Sequence, residues 1–209
     1  RCCEHDAIGG KPGVVCDNIA HRPPWLAHGN QLMLDHDSAY PAEEGRKYKV
    51  REHTVDAVAA VVGTLEMPIA PWSASIPDGI TSALGVFAGY AMIDAWIANQ
   101  DRHHENWAAL KAADGSLSLA PTFDHGASLA RNVSDEEKEE RMTTKDHRRT
   151  VAHFARRARS AFYEDATETR PMTTVGAWRA FSGHAPEESR IWLDRLAAVS
   201  DASIETVLD

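Results

Sequence analysis

The sequence is poor in cysteine, with three among 209 residues: Cys2, Cys3 and Cys16. An odd number crowded at one end makes no disulfide framework and fits a reducing cytoplasm. A zinc site on these three and His5 is the competing reading, although their spacing matches no common finger. No apolar run approaches the length of a membrane span, and no signal peptide is visible. No block of Lys and Arg stands out, and the formal net charge is −9. Tight, salt-sensitive binding of nucleic acid is therefore not expected. Also missing are internal repeats, low-complexity tracts, a His-Glu-x-x-His helix and any Gly-x-Gly-x-x-Gly loop. The chain opens on Arg1 rather than Met, so a further N-terminal segment is expected.

What is present describes an ordinary globular chain, 43% hydrophobic and 25% charged, long enough for one domain or one large lobe with its own core. Ala7-Ile8, Gly9-Gly10-Lys11-Pro12 and Gly13 to Cys16 read as strand, turn and strand. The stretch from 17 to 51 reads as irregular, broken by Pro23-Pro24, Gly29 and Pro41. Helical spacing then dominates. Thr54 caps a helix expected over 55–65. A second, from 80 to 98, carries Leu84, Phe87, Ala88, Ala91, Met92, Ala95 and Trp96 on a broad apolar face, with Gly85 and Gly89 allowing close neighbours. Ser134-Asp135-Glu136-Glu137 is a capping box. Further helices are expected over 147–161, 173–182, 187–198 and 202–208. Trp96 and Trp107 read as core anchors. Arg156, Arg157 and Arg159 read as a solvated helix face.

The chemistry lies in the order of parts after the central helix. A polar loop, Asn99-Gln100-Asp101-Arg102-His103-His104-Glu105-Asn106, is followed by a short hairpin, in which Trp107 to Leu110 and Leu117 to Ala120 flank Asp114-Gly115-Ser116. Phe123-Asp124-His125-Gly126 closes the unit. Phosphoryl transfer to a hydroxyl needs a carboxylate to orient the acceptor and take its proton, and a carboxylate with an amide oxygen to hold Mg²⁺ on nucleotide phosphates. The step from Asp101 to Asn106 equals the Asp-to-Asn step of the protein-kinase catalytic loop.

The runs AWIANQDRHHENWAAL and LAPTFDHGASLA resemble the catalytic core of HipA-like kinases, the bacterial Ser/Thr kinases of toxin–antitoxin modules. GVVC near the start, HGNQLM at 28–33 and ARSAFY at 158–163 are looser matches. The resemblance implies Asp101 as the catalytic base, Asn106 and Asp124 as ligands of Mg²⁺ and ATP, and His103 as the loop histidine that braces Asp101. The expected fold is mainly α (α+β): the helical C-lobe of a protein kinase with a short catalytic hairpin, and with the N-lobe largely absent. Residues 1–16 would be hinge and remnant N-lobe strands, and 17–209 the helical catalytic lobe. The expected partners are a protein substrate and an antitoxin-like or N-lobe chain, in the cytoplasm, with neither membrane nor nucleic acid.

The chain departs from a complete kinase in lacking the phosphate-covering loop and a Val-Ala-x-Lys strand lysine. Lys11 falls in the expected turn, and Lys47 and Lys49 in a polar stretch. Little activity is expected from these residues alone. Two competing readings are a catalytically incompetent, pseudokinase-like binding module and a hydrolase holding a transition metal on His103, His104, Asp124 and His125. His28-Gly29-Asn30 reads either as a turn with a structural histidine or as part of the site.

Overall fold

The computed structural model describes residues 3–8, 11–16, 18–20, 25–42 and 49–208. β1 (Cys3–Ile8) and β2 (Lys11–Cys16) form an antiparallel pair in which Ile8 faces Lys11 and Cys3 faces Cys16. Lys11 and Pro12 therefore belong to the strand and not to the turn. The zinc alternative falls on side chains outside the described residues.

The stretch expected to be irregular contains two elements, β3 (Trp25–His28) and α1 (Gly29–His36). β3 is short and its Trp25 is half exposed. It becomes a strand by pairing antiparallel with β4 (Ala108–Lys111), Ala27 opposite Ala109. β5 (Leu117–Leu119) pairs on the other side of β4, which completes a three-stranded sheet around the expected hairpin.

The rest is helical: α2 (Val55–Val62), α3 (Ala83–Trp96), α4 (Asp135–Thr143), α5 (Val151–Arg157), α6 (Thr174–His184), α7 (Pro186–Ala197) and α8 (Asp201–Leu208). A short 3-10 helix, Trp72–Ser75, precedes α3. Hydroxyl caps set the starts. The side chains of Thr54, Ser82, Ser134, Thr150 and Thr173 each accept a backbone N–H from the first turn of the helix that follows. None of the helices among the described residues is long and apolar enough to cross a membrane.

α3 is buried on almost every side, with Val86, Phe87, Ala88, Gly89, Ala91 and Met92 in the interior, as a helix without a polar face must be. Phe87, Phe162 and Phe181 meet edge to face around it, Phe181 lying 5.1 Å from Phe87 and 5.0 Å from Phe162 between ring centroids. Close approach of α7 depends on small residues, since a Cβ on Gly89 would strike the Trp192 indole. At the N-terminal end of α3, one Glu188 carboxylate oxygen accepts the N–H groups of Thr81 (2.7 Å) and Ser82 (2.9 Å), and the other accepts the Ser82 hydroxyl (2.7 Å). Trp107 is buried as expected, but Trp96 is not. It ends α3 beyond the reach of the core and is 48% exposed, lining a groove with Leu129, Met142 and Val151.

Candidate active site

α3 carries Asp94 near its C-terminal end, and that buried carboxylate organises the polar loop beyond it. Arg102 is almost fully buried (1% exposed) and grips Asp94 with two charge-assisted hydrogen bonds, Nε to Oδ2 at 2.7 Å and Nη2 to Oδ1 at 2.8 Å. Asn99 Nδ2 donates to Asp94 Oδ1 at 2.8 Å. From this anchor the guanidinium reaches the rest of the site. Nη1 donates to the carbonyls of Asn106 (2.8 Å) and Phe123 (3.4 Å), and Nη2 to His125 Nε2 (3.2 Å). One buried cation therefore ties the end of α3, the loop and the Phe123-Asp124-His125 turn together.

The loop is closed by its own bonds. The Asp101 carbonyl accepts the His103 N–H at 2.8 Å and the Asn106 side-chain amide at 2.7 Å. The Asp101 N–H donates to Asn99 Oδ1 at 3.2 Å. His103 Nδ1 accepts the Glu105 N–H at 3.1 Å, which assigns the ring proton to Nε2, and Nε2 faces Asp101 Oδ1 at 3.7 Å. Asp124 adopts a left-handed backbone, φ +53°, a conformation Asp tolerates better than most residues. It is exposed, and no hydrogen bond or ion pair among the described residues engages its carboxylate. Asp101 and Asp124 line one cleft of about 400 Å³, together with Gln100, Arg131 and Asn132. Hard oxygen donors of this kind suit Mg²⁺. Asn106 is buried behind the cleft, with its amide nitrogen committed to Asp101.

His28-Gly29-Asn30 proves to be the brace on the loop's other side. His28 Nδ1 meets the Glu105 carbonyl at 2.8 Å, the Gly29 N–H donates to the Trp107 carbonyl at 2.8 Å, and the Asn30 N–H donates to the His104 carbonyl at 2.8 Å. A Cβ on Gly29 would overlap the Trp107 indole and lie 2.6 Å from the His104 carbonyl oxygen. Gly29→Ala is therefore expected to cost about 1–3 kcal/mol of stability, an overpacking penalty, which urea unfolding would measure.

The four side chains of the metallohydrolase reading do not converge. The His103 and His104 rings lie 6.4 Å apart and perpendicular. His104 Nδ1 meets the Tyr40 hydroxyl at 2.8 Å, whose proton is held by burial first and by the Glu52 charge second. His125 Nε2 accepts from Arg102 and pairs with Thr122 Oγ1; burial, and then the Arg102 charge, lowers its pKa. No group of three or more His, Cys, Asp or Glu residues among the described residues could hold a metal.

Beneath the loop, His53 is wholly buried. It stacks on Phe162 at 4.6 Å, accepts the Trp107 indole N–H at Nε2 (3.2 Å) and donates from Nδ1 to the Ala161 carbonyl (3.1 Å). Burial pushes its pKa down to about 3. Below the unfolded value near 6.5 the unfolded chain binds a proton that the folded chain refuses. This contribution to stability is complete above about pH 6.5 and is lost as pH falls towards 3, by up to about 1.4 kcal/mol per pH unit. Thermal melts between pH 7 and 4 should show the decline, and His53→Gln should flatten it.

Asp94, Arg102 and His53 were not assigned by sequence reasoning, whereas His28 was read there as either a structural histidine or part of the site. One signal was available for the first two: an acid inside an apolar helix, followed eight positions later by Arg, since buried charges are paired. No protein-family model matches the chain, and no curated protein matches it. Among solved structures it is similar to the crystal structure of a Helicobacter pylori proinflammatory kinase, CtkA, with a TM-score of 0.54 and 16% sequence identity, over 97% of this chain and 71% of that one. The chain has a kinase-like fold, mostly helical with a small antiparallel sheet.

Proposed function

We propose that this chain is the helical lobe of a HipA-type protein kinase, which moves the γ-phosphate of ATP to a serine or threonine hydroxyl of a protein. The observation that carries the reading is the shared cleft of Asp101 and Asp124, set on a loop locked by Arg102 and Asp94. Bound ATP·Mg²⁺ supplies the phosphoryl group and neutralises its charge. Asp124 would hold the ion from the cleft wall, with the side-chain oxygen of Asn106 as the second ligand from behind it, and Asp101 would orient the acceptor hydroxyl and take its proton. His103 Nε2–H, facing the Asp101 carboxylate, restrains its direction. Holding these groups in place is most of what a phosphotransferase contributes.

In this reading residues 1–16 are hinge and remnant small-lobe strands, and 17–209 are the catalytic lobe. The phosphate-covering lobe lies elsewhere in the gene product or on a partner chain. The HipA likeness adds a cytoplasmic toxin–antitoxin setting in bacteria, with an antitoxin-like partner. The test is transfer of labelled phosphate from ATP to protein by the full-length gene product, with Asp101→Ala and Asp124→Ala as controls. Activity that persists in both variants removes the site assignment.

The missing glycine-rich loop and strand lysine favour one other reading, a module that binds partners without catalysis. The two differ in nucleotide response: stabilisation of the full-length product against heat by ATP·Mg²⁺ supports the kinase.

A further inference from the structure

The acceptor cleft continues into a cationic pocket. Gln100 lines both the cleft of Asp101 and Asp124 and a neighbouring hollow of about 330 Å³, whose wall carries Arg141, Arg148, His153, Phe154 and Arg157. These side chains come from α4, α5 and the turn between them, so the pocket exists only in the fold. Arg157 belongs to it, whereas Arg159 donates to the Pro171 carbonyl at 2.9 Å. Arg141 is already neutralised, since Glu137 Oε1 accepts from its Nε at 3.0 Å and its Nη2 at 2.6 Å, and its guanidinium sits 5.0 Å over the Phe154 ring. Arg148 and Arg157 are different. No carboxylate among the described residues pairs with either guanidinium, Asp146 Oδ1 accepting only the Arg148 backbone N–H at 2.9 Å, and no acid lines the pocket, although the chain as a whole carries a charge of −9. Guanidinium groups left without an anion beside a hydroxyl-activating cleft form a complement for carboxylate or phosphate.

On the kinase reading of the cleft, we propose that this pocket selects the acceptor: it takes an acidic side chain of the substrate protein, on the stretch flanking the serine or threonine that reaches Asp101. The site thus prefers acceptors in acidic surroundings, and the Arg148 and Arg157 guanidinium groups enforce that preference. A glutamate or a phosphoserine offers the same chemistry.

The test measures binding without turnover. Serine-containing peptides carrying glutamate, phosphoserine, glutamine or lysine beside the serine are titrated by fluorescence anisotropy into the full-length gene product. The experiment is repeated with Arg148→Glu and Arg157→Glu, and nucleotide affinity is followed with a fluorescent ATP analogue. The expected result is tighter binding of the glutamate and phosphoserine peptides than of the glutamine peptide, falling by about tenfold in each variant, the scale of one lost charge-assisted bond, with nucleotide affinity unchanged. Peptide affinity that ignores the neighbouring charge overturns the proposal, as does affinity unmoved by both substitutions. Loss of nucleotide affinity in the variants assigns the pocket to ATP phosphates and also overturns it. Acidic preference without phosphate transfer to any peptide leaves the pocket standing and counts against the kinase reading instead.

Discussion

Asp124→Asn should reduce phosphate transfer by the full-length gene product about a thousandfold or more, the scale on which removing a charge-stabilising group acts in such sites. Asparagine is the informative replacement. It has nearly the same shape and tolerates the left-handed backbone, φ +53° at this position, so the fold is spared while the charge is removed. The side chain is exposed, and unfolding measurements should differ from the parent by less than about 0.5 kcal/mol. The assigned roles also separate the two carboxylates. Asp124→Asn should abolish the thermal stabilisation given by ATP·Mg²⁺. Asp101→Asn should keep that stabilisation yet lower turnover by about a hundredfold to ten-thousandfold, as expected when a positioned general base is lost. If both variants retain nucleotide stabilisation and turnover, the cleft is not a phosphotransfer site.

The largest effect on stability is expected at Arg102. Arg102→Met leaves Asp94 charged, buried and without its cation, a change that costs about 3–5 kcal/mol. For a chain of this size each kcal/mol moves the melting temperature by roughly 2–4 °C, so Tm should fall by roughly 6–20 °C. Lysine should not rescue, because it cannot form the two-pronged bond and reach the Asn106 carbonyl together. The double variant Asp94→Leu with Arg102→Met removes both charges and should recover much of the stability, since a buried ion pair is often replaceable by apolar side chains. It should not recover activity, because the carbonyls of Asn106 and Phe123 and the His125 ring all lose the Arg102 guanidinium that ties them together. A single variant that melts like the parent would sink this account of the loop.

Much of the fold was legible where local chemistry decided it. Thr54, Ser134 and the Asp114-Gly115-Ser116 turn act through neighbours a few positions away, and their elements stand where expected. Three helices are shorter than expected: α2, expected over 55–65, ends at Val62; α3, expected over 80–98, runs from Ala83 to Trp96; and α5, expected over 147–161, runs from Val151 to Arg157, because the Thr150 side chain caps it from outside and Ala158 leaves helical geometry. β3 was not legible because its strand character comes from pairing with β4, far along the chain. α1 begins at Gly29 behind His28, which is no ordinary cap, with the Gln31 side chain accepting the His28 N–H at 3.1 Å. Within the candidate site, Asp101, Asn106 and Asp124 were singled out because phosphoryl transfer asks for such side chains in that order, and His103 because the loop resembles that of HipA-like kinases. The pair that holds them was not, since Asp94 looks like one polar interruption on a core helix until Arg102 is seen folded back onto it. Arg148 and Arg157 likewise became a pocket only once α4 and α5 had been brought beside Gln100.

Glu188 clamps the first turn of α3 and Arg102 clamps its last. The helix therefore behaves as a spacer of set length and set angular phase. Adding or deleting one residue between Ser82 and Asp94 would swing the far carboxylate by about 100° around the axis and displace it by about 1.5 Å, so that only one of the two clamps could engage at a time. Point changes on that helix can be absorbed locally, but insertions and deletions cannot, and the stretch between the clamps is where this protein admits no change of length.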